Sequence, residues 1–265
     1  MTSSAVSQPN SNWPIKAPIA LALDAPDLAT MSHWVHDTAP YLSTMKIGME
    51  TFYRDGEQAI AIVANSGCDL FLDLKLHDIP NTVAGAVRSL ARFQPRFLTV
   101  HALGGAAMIE AAASALPDTK IAAVTILTSL DDSELANLGI ATPAAETVVR
   151  LALIAVRSGA RAIVCSPLEV AAVRKAVPPD IVLITPGVRP NSAAVQDQKR
   201  ISSPQDALNA GADLLVIGRP ITGAPDVGRA ALNISQEISD RVSAGYQGSS
   251  GYQGSSDYHG NSDGR

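Results

Sequence analysis

Cysteine, aromatic residues and positive charge are all scarce in this chain. Of its 265 residues, 4% are aromatic, the formal net charge is −5, and Cys68 and Cys165 are the two cysteines. Neither cysteine has the spacing of a metal site, so we expect buried thiols in a reducing compartment. The acidic balance and the absence of a Lys/Arg run exclude a nucleic-acid polymer as the expected partner, whereas a nucleotide monomer needs only a few local cations.

Long hydrophobic runs are also missing. No apolar stretch reaches the roughly 20 residues that span a bilayer, and no cationic segment followed by an apolar one marks a secretory signal. We therefore expect a cytoplasmic protein that contacts no membrane. Hydrophobic residues at 46% and charged residues at 17% indicate a globular chain.

The two ends of the chain differ in composition from the middle. Residues 1–14 are rich in Ser, Asn and Pro, and residues 245–265 form a Gly, Ser and Tyr-rich repeat with almost no aliphatic side chains. Such segments bury too little apolar surface to offset the entropy lost on ordering. The composition predicts disordered tails at 1–14 and 245–265 around a single domain at 15–244.

Eight short runs rich in Val, Ile and Leu alternate with longer stretches of helical periodicity, a pattern typical of parallel strands buried on both faces. Eight such units in about 230 residues predict an α/β fold, the (β/α)8 TIM barrel. A doubly wound open sheet is the alternative, but no G-x-G-x-x-G follows the first run. Gly67, Gly159 and Gly211 precede runs where helix C-caps are expected. The runs are residues 18–24, 43–48, 69–75, 96–101, 120–129, 161–166, 180–187 and 213–219.

Polar side chains lie at or just beyond the carboxyl ends of these runs. In a TIM barrel the carboxyl ends of the strands meet at the face that carries the active site. Charges are costly to bury there unless they are paired, so their concentration predicts a functional pocket. The residues are Asp24, Lys46, Asp73, Lys75, His101, Thr128, Ser129, Ser166, Arg189 and Arg219.

The densest polar segment is residues 72–83. Asp73 and Lys75 are two apart on a strand and so face the same side, and Asp78 follows in the loop, where helix capping is the alternative role. With Lys46, these residues form an alternating array in which each charge stabilises its neighbours. Such an array suits a reaction that develops a carbanion and then takes a proton from an ammonium, for which we predict Lys75. A Schiff-base lysine is less expected, because adjacent carboxylates oppose the lowered pKa that it needs.

A second group of residues suits phosphate binding. Pro186 lies at the end of the seventh run, Arg189 and Gln198 follow that run, and Gly218 and Arg219 end the eighth. TIM barrels commonly bind phosphate with the loops after strands 7 and 8. Gly218 would allow close backbone approach, and Arg219 would contact the phosphate oxygens bidentately.

Three further residues have two open interpretations each. His77 is either a general acid or a packed loop residue, and His101 either lines the site or does not. Asp24 is either an acceptor for ribose hydroxyls or the cap of the first helix.

Residues 73–82, D-L-K-L-H-D-I-P-N-T, resemble the orotidine 5'-phosphate decarboxylase motif D-x-K-x-x-D-I-P-N-T without a departure. LALD, MKIG, VHALGG, TILTS, TPGVRP and VIGRPI extend the resemblance over about residues 18–240. It implies decarboxylation of orotidine 5'-phosphate to UMP in de novo pyrimidine biosynthesis, with no metal or organic cofactor.

The resemblance also implies roles for individual residues. Lys75 protonates C6 of the pyrimidine, and Lys46, Asp73 and Asp78 complete the charged network. The chain is expected to form a homodimer in which Asp78 reaches the other chain's site. Ribose contacts are implied for Asp24, Lys46 and Thr82, a pyrimidine contact for Thr128, and phosphate contacts for Arg189, Gln198, Gly218 and Arg219.

Two other functions remain open. A magnesium-dependent sugar-phosphate enzyme can share the D-x-K-x-x-D core, but it is expected to carry an acid where this chain has Lys46. A catalytically silent nucleotide-binding scaffold has no need of Asp73, Lys75 and Asp78, which are all present.

Overall fold

In the computed structural model, which describes residues 16–188 and 202–247, eight parallel strands close into a barrel. Each strand pairs with the next along the chain, and the eighth pairs with the first. Every predicted apolar run contains one of the strands or most of it, so the predicted (β/α)8 barrel is confirmed. The strands are β1 (Ala17–Ala22), β2 (Leu42–Gly48), β3 (Asp69–Leu76), β4 (Phe97–His101), β5 (Lys120–Val124), β6 (Ala162–Val164), β7 (Val182–Thr185) and β8 (Leu214–Ile217).

Helices follow every strand. None of those in the described ranges has an apolar stretch long enough to cross a bilayer. The predicted domain boundary at residue 244 falls inside the last helix, and residues 1–14 and 248–265 of the predicted tails lie outside the described ranges. The helices are α1 (Leu28–Thr38), α2 (Met49–Asp55), α3 (Glu57–Ala64), α4 (Pro80–Leu90), α5 (Ala106–Ala115), α6 (Asp132–Asn137), α7 (Ala144–Arg157), α8 (Val170–Ala176), α9 (Pro204–Asn209), α10 (Arg219–Thr222) and α11 (Val227–Gln247), with short 3₁₀ helices at Ala91–Phe93 and Ala102–Gly104.

The glycines predicted to precede strands adopt left-handed backbone conformations. Gly67, Gly159 and Gly211 have φ values of 69°, 93° and 107°. At the end of α9, the Gly211 N–H donates to the carbonyl of Leu208, and the next N–H donates to Ala207, as in a Schellman motif. The chain thereby turns from the helix into β8 with its last carbonyls satisfied.

Apolar side chains fill the barrel lumen below its C-terminal end. Side chains alternate between the lumen and the helix layer along each strand. Phe71 and Phe97 are both buried in the lumen, with ring centroids 5.6 Å apart. They close the barrel beneath the polar residues that follow. The lumen cluster is Ala20, Phe71, Phe97, Ala122, Ala162, Ile184 and Leu214.

Strand β3 contains an irregularity at the position of the predicted charge cluster. Leu72 pairs with Leu98 of β4, but the next pair is Leu76 with Val100, so β3 holds two extra residues between these pairs. Within this bulge Lys75 has a φ of 49°. A left-handed conformation costs a non-glycine residue about 1–2 kcal/mol, so the surrounding contacts must hold it in place.

Candidate active site

The centre of the site is a carboxylate held between two ammonium groups. Asp73 Oδ1 lies 2.7 Å from Lys75 Nζ, and Asp73 Oδ2 lies 3.2 Å from Lys46 Nζ. The side chains of Lys46, Asp73 and Lys75 are 8%, 13% and 26% exposed. Because β2 and β3 are adjacent and both side chains face the lumen, the predicted pairing of Lys46 with Asp73 follows from the barrel register.

Two opposing effects act on the Asp73 carboxyl. Burial raises its pKa, because the charged form loses its hydration. The positive charges of Lys46 and Lys75 lower it, and together they outweigh burial, so the pKa of Asp73 lies below its ordinary value. At neutral pH the centre of the site is therefore an ionised carboxylate.

Asp24 lies beside this cluster. A Cβ added to Gly48 would come within 2.8 Å of Asp24 Oδ1 and 3.3 Å of Lys46 Nζ, so glycine leaves room for both groups. The cap of α1 is Asp27, whose carboxylate accepts from the Thr30 N–H at 2.8 Å. Capping of the first helix therefore does not account for Asp24.

Two cavities open at the C-terminal end of the barrel and meet at Asp73. One has a volume of about 490 Å³ and the other about 210 Å³. Both are also bordered by Pro186 and Val216, so the two cavities adjoin and together form the cleft. The larger is lined by Asp24, Lys46, Gly218 and Arg219 among others, and the smaller by Phe71, Lys75, Ile126, Leu127, Thr128 and Ile184 among others.

The structure thus brings eight of the twelve predicted site residues to one cleft and places two outside it. Arg189 and Gln198 lie outside the described residues. Asp78 and Thr82 are exposed and line neither cavity of this chain. The eight are Asp24, Lys46, Asp73, Lys75, Thr128, Pro186, Gly218 and Arg219.

Capping does not account for Asp78 either. The residue before α4 is Ile79, and no side chain caps this helix among the described residues. Asp78 Oδ1 accepts a hydrogen bond from the Ile79 N–H at 2.6 Å, outside the first turn of the helix. Within one chain, the predicted array of four charged residues therefore contains three, because Asp78 lies on an exposed loop.

His77 and His101 pack against each other next to the cluster. Their ring centroids are 5.4 Å apart, and neither ring borders the two cavities. Burial lowers the pKa of His101, and the nearby His77 and Lys75 lower it further against the opposing effect of Asp73. His101 is therefore a neutral ring at pH 7, packed against His77 and close to Lys75.

Three predictions about strand ends need refinement. The predicted run at 120–129 ends as a strand at Val124, so Thr128 lies in the following loop, although it still reaches the cleft. The strand ends there because its pairing with both β4 and β6 stops at Val124, and the Thr125 N–H makes the last ladder bond to the Val164 carbonyl, which also accepts from the Thr125 hydroxyl. Ser166 is buried and donates to the Glu169 carboxylate, a structural contact away from the cleft. Ser129 is exposed and does not line the cleft.

One residue of the cluster was missed by the sequence reasoning. Thr99 of β4 is buried, accepts from the Lys75 N–H at 2.8 Å and donates to Asp73 Oδ1 at 3.1 Å. The alternation of side chains along β4 could have identified Thr99, because Phe97, Thr99 and His101 share the lumen face. A threonine inside an apolar strand is common, so this signal alone did not select it.

Comparison with known proteins agrees with this geometry. The family model for "Orotidine 5'-phosphate decarboxylase / HUMPS family" matches residues 17–234. The chain belongs to this family. The orotidine 5'-phosphate decarboxylase of Thermobifida fusca (strain YX) is 58% identical over 223 residues, which are 84% of this chain and 96% of that protein.

Two further members of the family give the same result. Orotidine 5'-phosphate decarboxylase of Frankia casuarinae is 50% identical over 242 residues, 84% of this chain and 88% of that protein. The crystal structure of orotidine 5'-phosphate decarboxylase from Lactobacillus acidophilus has a TM-score of 0.73 at 36% identity, covering 84% of this chain and 99% of that one. The predicted membership of the orotidine 5'-phosphate decarboxylase family is confirmed.

Proposed function

We propose that this chain decarboxylates orotidine 5'-phosphate to UMP and carbon dioxide, without a metal or an organic cofactor. The observation that carries the proposal is Asp73 ion-paired with both Lys46 and Lys75 at the mouth of the barrel. Relatives up to 58% identical that carry this enzyme's name support carboxy-lyase activity. The reaction belongs to de novo pyrimidine biosynthesis, for which we propose a cytoplasmic location.

The chemistry assigns a separate task to each charged group. When the bond between C6 and the carboxylate breaks, carbon dioxide leaves and the electron pair stays on C6. The Lys75 ammonium stabilises this developing carbanion and then transfers a proton to it, and the neutral amine regains a proton from solvent. Asp73 orients that ammonium at 2.7 Å before substrate binds, so the electrostatic arrangement is in place in advance.

The rest of the nucleotide is assigned along the cleft. Asp24 and Lys46 contact the ribose, Thr128 contacts the pyrimidine, and Pro186, which borders both cavities, belongs with the phosphate contacts. The phosphate binds at Gly218 and Arg219, together with Arg189 and Gln198. Support comes from the two adjoining cavities, of which one is lined by Lys75 and the other by Arg219. Phosphate contacts remote from C6 supply binding energy for the reacting end.

The proposal includes a homodimer in which Asp78 and Thr82 of each chain complete the other chain's site. Both residues are exposed here, on the loop and first turn after β3. Ile79 between them is 66% exposed, so this loop also offers an apolar side chain that a partner chain could cover.

An absorbance assay with orotidine 5'-phosphate in the presence of EDTA tests the activity. We expect full turnover, because the developing charge is stabilised by lysine. Sugar phosphates with magnesium serve as the alternative substrates, since a sugar-phosphate enzyme shares the D-x-K-x-x-D core. Turnover of a sugar phosphate alone, or loss of activity with EDTA, would overturn the proposal.

Mixing two inactive variants tests the shared site. Lys75→Ala and Asp78→Asn chains are each expected to lack activity, but their heterodimer contains one site with Lys75 and Asp78 both intact. Random exchange should therefore restore about a quarter of the wild-type activity. Each variant mixed with itself is the control. No recovery, despite heterodimers detected by mass spectrometry, would refute the contribution of Asp78 across the interface.

A further inference from the structure

The Thr99 hydroxyl makes two hydrogen bonds inside the charge cluster. It accepts from the backbone N–H of Lys75 at 2.8 Å, and it donates to Asp73 Oδ1 at 3.1 Å. Thr99 is 1% exposed, so no water competes for this oxygen. One buried hydroxyl on β4 thus connects the backbone of one charged residue to the side chain of another on β3.

These bonds are formed at the bulge in β3. Because Leu72 and Leu76 pair with β4 but the residues between them do not, the Lys75 N–H lacks a ladder partner. A buried N–H without an acceptor is strongly unfavourable, and the left-handed φ of Lys75 adds strain. The Thr99 oxygen supplies the missing acceptor at the point where the backbone is least regular.

The same oxygen also limits the position of the carboxylate. Asp73 Oδ1 accepts from both the Lys75 ammonium and the Thr99 hydroxyl, while Oδ2 pairs with Lys46. The donor from Thr99 is fixed by a short β-branched side chain in the strand, whereas both lysines are long and flexible. The Thr99 hydroxyl therefore has a fixed position, and its two hydrogen bonds fix the positions of Asp73 Oδ1 and the Lys75 backbone.

We infer that Thr99 is a positioning residue for decarboxylation, holding the Asp73 carboxylate and the Lys75 backbone so that the ammonium meets C6. The inference rests on the proposed function. Thr99 need not contact the nucleotide to act in this way. A displacement of about 1 Å at the reacting groups can reduce a rate by about a hundredfold, so losing the hydroxyl should affect turnover more than binding.

Thr99→Val tests the inference, because valine keeps the shape of threonine and removes both hydrogen bonds. We expect kcat to fall about tenfold to a hundredfold. The KM for orotidine 5'-phosphate and the Kd for UMP should stay within about threefold, since the ribose and phosphate contacts lie elsewhere in the cleft. Thr99→Ser restores the hydroxyl and should recover at least about a third of wild-type kcat.

Thr119→Val is the matched control for stability. Thr119 is also buried, and its hydroxyl donates to the Pro95 carbonyl at 2.6 Å before β5 begins. Its replacement removes one buried hydrogen bond at the opposite end of the barrel. We expect a lower Tm and an unchanged kcat, which separates a general loss of stability from a loss of positioning.

The possible results distinguish two failures. A wild-type chain that does not turn over orotidine 5'-phosphate would refute the proposed function and this inference with it. An active wild type with Thr99→Val retaining kcat within threefold would refute the inference alone. If Thr99→Val does not fold, Thr99→Ser is the test of the inference. A serine variant with a normal Tm but a kcat as low as that of Lys75→Ala would overturn it.

Discussion

The two ends of the barrel use ion pairs in different ways. At the N-terminal end, Arg174 Nη2 lies 2.6 Å from Asp213 Oδ2, and the same oxygen accepts from the Leu183 N–H at 2.8 Å. Arg174 also donates to the Ile181 carbonyl. At the C-terminal end, Asp73 instead has two lysines and one hydroxyl as partners.

From this difference we expect the N-terminal ion pair to serve stability and the C-terminal cluster to serve function. The N-terminal pair satisfies backbone groups where β7 and β8 begin, so removing it should weaken the fold. The C-terminal cluster directs its charges toward one another and toward a cleft, so removing a member should alter chemistry. In TIM barrels the two faces generally divide in this way.

Replacing Lys75 should have the largest effect. Lys75→Ala removes the proposed proton donor, and we expect no measurable turnover while the fold survives. Lys175→Ala, on the exposed surface of α8, is the matched control and should behave like the wild type. Kinetics and circular dichroism measure the two properties, and substantial residual turnover by the alanine variant would rule out Lys75 as the donor.

Replacing Arg219 should affect binding at the other end of the cleft. Arg219→Ala removes a charge-assisted contact to phosphate, so UMP affinity should fall by about 2–5 kcal/mol. Arg229→Ala, exposed on α11, changes the net charge equally without touching the cleft. Calorimetric titration with UMP and with uridine measures the effect. Equal affinities of Arg219→Ala and wild type for UMP would refute the phosphate assignment.

Replacing Asp213 should lower stability and spare turnover. Asp213→Ala leaves the Leu183 N–H and the Arg174 guanidinium without this acceptor, and we expect the free energy of unfolding to fall by about 1–3 kcal/mol. Asp213→Asn keeps an oxygen for the N–H and should lose less. Urea unfolding gives the stability and the decarboxylation assay gives kcat. A large decrease in kcat would show that the two ends are not separable.

Most of the fold could be predicted from the sequence because short runs rich in Val, Ile and Leu alternate with longer stretches of helical periodicity. The predicted run at 120–129 exceeded its strand because pairing of β5 with β4 and β6 stops at Val124, where the last bond joins Thr125 to Val164, 39 positions apart. Such a contact depends on which strands are neighbours, and periodicity does not contain that information.

The site was predictable where a motif and a strand end coincide, as at Asp73 and Lys75. Alternation correctly placed both on one side of β3, but the bulge between them arises from pairing with β4 and was not foreseen. Thr99 was missed for the same reason, since its two bonds depend on that bulge. The exposed position of Asp78 likewise follows from the β3–α4 loop conformation, which composition does not determine.

The packed rings of Phe71 and Phe97 affect how the reaction products can leave the barrel. Because they fill the lumen under Asp73, the described residues leave carbon dioxide no path toward the N-terminal end of the barrel. In the proposed reaction, carbon dioxide formed next to Lys75 would therefore leave through the same cleft as the nucleotide.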